Sequence, residues 1–159
     1  MIKLSKKEID FLRESNAIEA VYDDDSLEQA KYAWEFLKSE KVLTTGSILK
    51  THKILMLHQP LKPDEKGYWR RCQVWIGYRE APRWEKMVVM MGSWILDANK
   101  SDDEEAIKKD HVLFEYVHPF VDGNGRVGRM LMNWQRINSG LPILVIKEEG
   151  KHDYYGWFA

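Results

Sequence analysis

A single cysteine, Cys72, leaves nothing for it to pair with inside the chain, so no intrachain disulfide holds the fold together. Near Met1 there is no positively charged leader, no short apolar segment of the secretory kind and no long apolar span. The expectation from both absences is a cytoplasmic protein in a reducing compartment, with no membrane partner. An excess of charge of one sign is also missing: 24 basic and 25 acidic residues give a net charge of -1. No global field draws the chain to nucleic acid or to an anionic surface, and any anion site must be built locally. Repeats, low-complexity tracts and linkers are absent too. What is present is 159 residues, 44% hydrophobic and 12% aromatic, which is enough for one domain over residues 1–159 with a substantial core.

The apolar residues recur mostly at helical spacing, which predicts a mostly helical chain. Ser26 with Gln29 reads as a capping box ahead of Leu27, Ala30, Trp34 and Leu37. A further helix is expected from about Thr45 to Leu57, with Ile48, His52, Leu55 and Met56 on one face and Pro60 beyond. Met87, Met90, Met91, Trp94 and Ile95 form a core stripe. Ser101 and Glu104 read as a second capping box, opening a helix to about Val117 that stops because Pro119 disfavours the α conformation at His118. Helical spacing resumes at Arg126 and ends at Gly140, ahead of Pro142. Between Gly67 and Pro82 the pattern changes to partial alternation punctuated by Gly67, Gly77 and Pro82, which predicts a short exposed hairpin.

The stretch HPFVDGNGRVGR, His118 to Arg129, therefore lies in a loop that runs into a helix. Unpaired N–H groups at the helix start point into the loop, and Gly123 and Gly125 allow a ligand close to the backbone, which makes a phosphate seat. Arg126 and Arg129, three apart, leave one face of the first turns, where cations make sense if an anion lies between them. Asp122 would repel that anion unless a divalent cation such as Mg²⁺ bridged the two, so a nucleotide with magnesium is favoured over an acidic peptide. His118 has the ring whose ordinary pKa suits proton transfer near neutrality, and it is the candidate base.

Nine specified positions of twelve, in the order H-P-F-x-D-G-N-G-R-x-x-R, match the signature of the Fic family, which the chain resembles over almost its whole length. ESNAIEAVYDDDSLEQAKYAWEFL looks like the inhibitory helix of these proteins and the helix after it. LTTGSILKTHKILM and DHVLFEYV look like the helices flanking the flap and leading into the motif, and RMLMNWQRINSGLPILVI and KHDYYGWFA look like the family's segments C-terminal to the motif. The resemblance implies an all-α fold, a helical bundle with a β-hairpin flap, divided into an inhibitory helix at about 5–20, a flap at about 67–82 and a catalytic loop at 118–129. It implies an enzyme, a protein adenylyltransferase that transfers AMP from ATP to a Ser, Thr or Tyr hydroxyl of a target protein. Gly125 separates the chain from the Doc branch, which typically has lysine there and phosphorylates instead.

Carried over by position, the resemblance makes His118 the base and Asp122 the holder of Mg²⁺. It makes Gly123, Asn124 and Gly125 an anion hole, and gives Arg126 the phosphates near the leaving group and Arg129 the γ-phosphate. Phe120 anchors the loop. Val74, Trp75 and Ile76 of the flap would add a strand of the target to the hairpin, and Tyr154 and Tyr155 would lie near the nucleobase. The family's (S/T)-x-x-x-E-(G/N) pattern maps onto Ser15 and Glu19, with Glu19 pairing Arg129 to hold the enzyme off, while Ala20 departs from the glycine or asparagine expected after it. Two alternatives stand beside this reading: an enzyme that mainly removes AMP, with a glutamate positioning water near His118, and a nucleotide-binding, toxin-like interaction module. The target's identity, the choice among nucleotides and any homo-oligomer are left open.

Overall fold

A computed structural model describes residues 2–159 as seven α-helices and one two-stranded hairpin. The helices are α1 Lys6–Ile18, α2 Asp24–Ser39, α3 Thr45–Leu55, α4 Trp84–Ala98, α5 Glu104–Val117, α6 Asn124–Asn138 and α7 Lys151–Tyr155. The strands are β1 Trp75–Ile76 and β2 Arg79–Glu80. The all-α expectation holds, and no described helix is long and apolar enough to cross a membrane.

α6 is the axis of the bundle. It packs against α5 on one side and meets α1, α2 and α3 on others, so that twelve residues of its fifteen are buried. A helix enclosed on all sides is usually apolar all round, yet this one carries Arg126, Arg129, Asn133, Gln135 and Arg136. Most of these are held by fixed acceptors. Asn133 exchanges two hydrogen bonds with the backbone of Leu144, Gln135 donates to Asp110 and to the Ala98 carbonyl, and Arg136 donates to the Pro142 carbonyl and to Glu104. These three side chains thereby tie the axis to its neighbours with their buried donors met, in contrast to Arg126. Around it the apolar core closes through Phe11 edge-on to Trp34 at 5.3 Å and Trp94 tilted against Phe114 at 5.2 Å. The Met stripe of α4 faces this core, with Met87, Met91, Trp94 and Ile95 buried and Met90 partly so.

Two helix starts differ from the sequence reading. α2 is capped by Asp23, whose carboxylate accepts from the Ser26 N–H at 2.7 Å, and Ser26 itself lies inside the first turn. α5 is capped by Asp103, which accepts from the Ala106 N–H at 2.9 Å, with Ser101 two residues outside. In both segments serine and aspartate compete for one role, and an ionised carboxylate at a helix N-terminus gains a charge-assisted bond that a hydroxyl does not. α1 has a capping box, Ser5 with Glu8.

The hairpin is shorter than the expected flap. Only Trp75 opposite Glu80 and Ile76 opposite Arg79 pair as a ladder, extended by the Ala81 N–H donating to the Val74 carbonyl. Gly77 has φ +60, as the first position of a primed two-residue turn requires. Residues 67–73 do not join the ladder: Trp69 turns inward onto the Phe120 ring and Arg70 is buried.

Asp103→Ala should cost about 1 kcal/mol of unfolding free energy, the usual worth of an N-cap, whereas Ser101→Ala should stay within about 0.5 kcal/mol. Urea unfolding of the two variants checks the assignment, and the reverse order would restore serine as the cap.

Candidate functional site

The loop from His118 to Asn124 crosses the mouth of a cleft of about 470 Å³. His118, Asp122, Arg126 and Arg129 line it from the loop and α6, Glu19 from the end of α1, and Trp75, Ile76 and Arg79 from the hairpin. All but one of the candidates named from the sequence thus converge on one cavity or stand directly behind it; the exception is Val74, which is half-buried in the hairpin.

His118 closes α5 in the left-handed region, at φ 52 and ψ 65. The expectation that Pro119 stops the helix there is met, though by a left-handed turn and not by extended backbone. Its Nδ1 faces the Glu115 carbonyl at 3.1 Å. A carbonyl only accepts, so the proton is on Nδ1 and Nε2 keeps its lone pair. Burial pushes the imidazole below its ordinary value, and a neutral ring at neutrality is what a base needs.

The rest of the loop is held from below. Phe120 is fully buried and stacks on His52 with ring centres 3.8 Å apart. His52 accepts from the Gly67 N–H at Nδ1 and donates from Nε2 to the Asp122 carbonyl, at 3.0 and 2.8 Å, which joins the start of the flap segment to the loop. Asn124 uses both ends of its side-chain amide on the Phe120 backbone, at 2.8 and 2.9 Å. Its side chain therefore braces the loop, and only its backbone remains for the expected anion hole. Gly123 caps α6 at φ 86, where a Cβ would sit 2.8 Å from the Met56 sulfur, so position and packing both demand glycine.

The two arginines differ. Arg126 has a side chain only 4% exposed, and its nearest carboxylate, Asp122, is 3.8 Å away. Its Nε and Nη1 are buried without a hydrogen-bond partner. Unmet donors on a buried cation are costly, and here they belong to a guanidinium at the N-terminal end of α6. Arg129 is saturated by comparison. Nε donates to Ser15 Oγ at 2.8 Å, Nη2 to the Ser15 carbonyl at 3.0 Å and to Glu19 Oε1 at 2.7 Å, and Nη1 to the Tyr154 hydroxyl at 3.3 Å. Gly125 faces the same pair, and a Cβ there would run into Glu19 Oε1. Ala20, the departure from the expected pattern, takes φ 57, the left-handed conformation that glycine and asparagine enter most readily. The Glu19 to Arg129 contact forms with alanine there.

Tyr154 and Tyr155 separate. Both line the cleft, but Tyr155 is 45% exposed whereas Tyr154 is buried against Arg129. The Tyr154 hydroxyl lies 2.6 Å from His111 Nε2, and His111 Nδ1 lies 3.1 Å from the Gly128 carbonyl. The carbonyl fixes the proton on Nδ1, so Tyr154 donates to His111 and accepts from Arg129. Tyr154 thereby supports Arg129 from the wall of the cleft.

Four residues of this shell escaped the sequence reading: His52 beyond its apolar face, Arg70, His111 and Glu115. Burial pushes His52 down to about 4, His111 down to about 3 and the Glu115 carboxyl up to about 7. The only sequence signal for His111 and Glu115 was their place on α5, two turns and one turn before His118, facing α6.

With this geometry in view, the Fic/DOC family model matches residues 42–135. The chain is 33% identical over 123 residues to the protein adenylyltransferase Fic of Nematostella vectensis, covering 74% of this chain and 28% of the relative. It is 31% identical over 121 residues to the protein of the same name in Aedes aegypti, covering 72% of this chain and 24% of that one. Among solved structures, a Fic-domain-containing signaling protein of Bacteroides thetaiotaomicron superposes with a TM-score of 0.79 at 22% identity, over 95% of this chain and 70% of the other. Residues 134–508 of Fic-1 from C. elegans give a TM-score of 0.79 at 22% identity, over 96% and 55%. The chain belongs to the Fic/DOC family. It spans about a quarter of the length of these two curated relatives.

The buried groups set the response to acid. His52 and His111 take up a proton near 6.5 when unfolded but only near 4 and 3 when folded, so each contributes stability above 6.5 that is lost as pH falls toward those values. Glu115 acts in the opposite sense. Its folded value near 7 against 4.5 unfolded gives stability that is complete below 4.5 and lost as pH rises through 7. Between about pH 5 and 6, His52→Gln should reduce the pH slope of the unfolding free energy by close to one proton, about 1.4 kcal/mol per pH unit. Glu115→Gln should steepen it by a similar amount. Urea unfolding across that range measures both, and unchanged slopes would mean that the groups are not buried as described.

Proposed function

We propose that this chain transfers AMP from ATP to a Ser, Thr or Tyr hydroxyl of a target protein, and that Glu19 restrains it. The observation that carries the reading is the buried Arg126 guanidinium with Nε and Nη1 unpartnered, beside a neutral His118 in the same cleft. An anion with several oxygens at the start of α6 would meet those donors together with the free backbone N–H groups of the first turn. The adenylyltransferase names of the relatives support the same assignment.

In the proposed reaction the acceptor hydroxyl gives its proton to His118 Nε2 while its oxygen bonds to the α-phosphorus. The bond from that phosphorus to the bridging oxygen breaks, and pyrophosphate leaves. Arg126 would hold the phosphates of the leaving group, which is where negative charge grows. Arg129 would meet the γ-phosphate once Glu19 withdraws, because Glu19 Oε1 occupies the approach to it. Val74, Trp75 and Ile76 would seat an extended stretch of the target along the hairpin, and Trp75 is exposed for that purpose. Tyr155 is the tyrosine of the pair available to a nucleobase.

Magnesium fits this residue set as an ion shared with phosphates. No cluster of three or more His, Cys, Asp or Glu among the described residues would hold a metal by itself, but the Asp122 carboxylate is 60% exposed at the phosphate end. Hard cations of this kind are commonly held by one or two carboxylates with phosphate oxygens and water. When bound, the ion would offset phosphate charge and fix the phosphates relative to Asp122.

Removal of AMP is a second reading, favoured by the presence of the Glu19 carboxylate in the cleft that holds His118. There Glu19 would orient a water.

The test is incubation with labelled ATP, magnesium and host lysate, read by intact mass as an AMP increment. His118→Ala should lower incorporation by about 10²–10⁴-fold while calorimetry finds magnesium–ATP still bound. Wild-type turnover by that variant would end the base assignment. Asp122→Ala should lose the magnesium dependence of nucleotide affinity, and unchanged dependence would remove it from that role. Glu19→Gly should incorporate clearly more AMP per hour than wild type at the same magnesium–ATP concentration; equal rates would end the restraint while leaving the transfer reading in place.

A further inference from the structure

We infer that Arg70 is a positioning residue of the cleft, a clamp that fixes the hairpin and the backbone of His118 relative to each other; the inference rests on the AMP-transfer reading. Arg70 is 1% exposed and forms no ion pair among the described residues. Its guanidinium is instead surrounded by main-chain carbonyls. Nε donates to the His118 carbonyl at 2.7 Å, Nη1 to that of Cys72 at 3.0 Å, and Nη2 to those of Pro82 at 2.5 Å and Val117 at 3.2 Å. Its own N–H donates to the Pro119 carbonyl at 2.9 Å.

These acceptors fall into two groups. Val117 and His118 carry carbonyls at the C-terminal end of α5, where no helical donor remains and a cation is favoured by the dipole. Cys72 and Pro82 flank the hairpin on its incoming and outgoing sides. One rigid, planar group thus spans the base of the hairpin and the residue that carries the imidazole. The fixed fork of a guanidinium sets the spacing between them, which a flexible ammonium on a single stem cannot do. His118 also needs external support to stay at φ 52, because a non-glycine residue in the left-handed region persists only where its surroundings over-determine it. The bond to its carbonyl supplies part of that support. Arg70 touches neither the phosphate seat around Arg126 nor Arg129. Its effect should therefore be on the alignment of acceptor and base, not on nucleotide affinity.

The experiment compares Arg70→Lys and Arg70→Gln with the parent, all in the Glu19→Gly background. It uses magnesium–ATP for calorimetry, α-labelled ATP with host lysate for transfer, and hydrogen exchange for the backbone. Arg70→Lys should keep its helical circular dichroism and bind magnesium–ATP within about threefold of the parent. Transfer should fall by roughly 10²-fold, the size of effect that a displacement of about 1 Å can produce in a reacting pair, with kcat reduced and the KM for ATP little changed. Amides at Ala81 and His118 should lose protection together. Parental transfer rates in Arg70→Lys, or a loss of ATP affinity in step with the rate, would overturn the clamp. If neither variant folds, exchange in the parent decides: segments 72–82 and 117–120 opening as one unit supports the inference, and a hairpin that opens independently overturns it. Absence of transfer in the parent itself counts against the AMP-transfer reading, whereas transfer by the parent and equal transfer by Arg70→Lys counts against this inference alone.

Discussion

Burying the Arg129 guanidinium is the constraint on which most of the cleft depends. A cation removed from water in the middle of a bundle is tolerated only if its donors meet acceptors in fixed places, and α6 alone cannot provide them. Ser15 and Glu19 come from α1, and the Tyr154 hydroxyl comes from α7, so the first and last helices are drawn to the same point. The chain of bonds does not end at Tyr154. Its proton goes to His111, and His111 returns a proton to the Gly128 carbonyl on α6 itself. A closed circuit of donors and acceptors through α6, α7 and α5 fixes the side chain, and each member has only one protonation pattern that satisfies the others.

That circuit explains why the two arginines of one motif behave so differently. Arg129 is locked whether or not Glu19 is in place, since Ser15 and Tyr154 hold it from two sides. Arg126 is buried with two nitrogens unmet, and its stabilisation has been left to whatever enters the cleft. Under the proposed function, the asymmetry would divide nucleotide binding into a preformed part and a part completed by the ligand, and pre-organisation of the first would lower the cost of ordering on association. Burial sets the protonation of the shell. Neutral His52, His111 and His118 and a Glu115 carboxyl raised toward neutrality by burial place few extra charges around the two guanidiniums.

What could be read from the sequence was what is local in the chain. The loop from His118 to Arg129 draws its base, its glycines and its arginines from twelve consecutive positions, so their meeting in space was written in their spacing. Helices α2 to α6 were legible from apolar periodicity for the same reason, whereas α1 and α7 came only with the family resemblance. The caps of α2 and α5 were displaced by a few residues because serine and aspartate occur side by side there and only the three-dimensional geometry decides between them. Arg70, His111 and Tyr154 acquire their roles from sets of partners that reach up to 48 positions away. Nothing in the neighbourhood of Arg70, a basic residue among aromatics, distinguishes a buried clamp from a solvated surface charge. Asn124 belongs to the loop pattern, but nothing in that pattern shows that its side-chain amide is taken up by the Phe120 backbone.

Ala20 gives the end of α1 a set-point. Holding an alanine in the left-handed region costs roughly 1–2 kcal/mol compared with a conformation it prefers. Any opening of the joint that lets Ala20 leave that region recovers the difference, so the closed form is less populated relative to the open one than it would be with glycine, by about 5–30-fold. If Glu19 restrains the cleft as proposed, the methyl group of a residue that touches neither nucleotide nor arginine determines how leaky the closed state is. Such a joint makes α1 easy to displace by a modest competing contact.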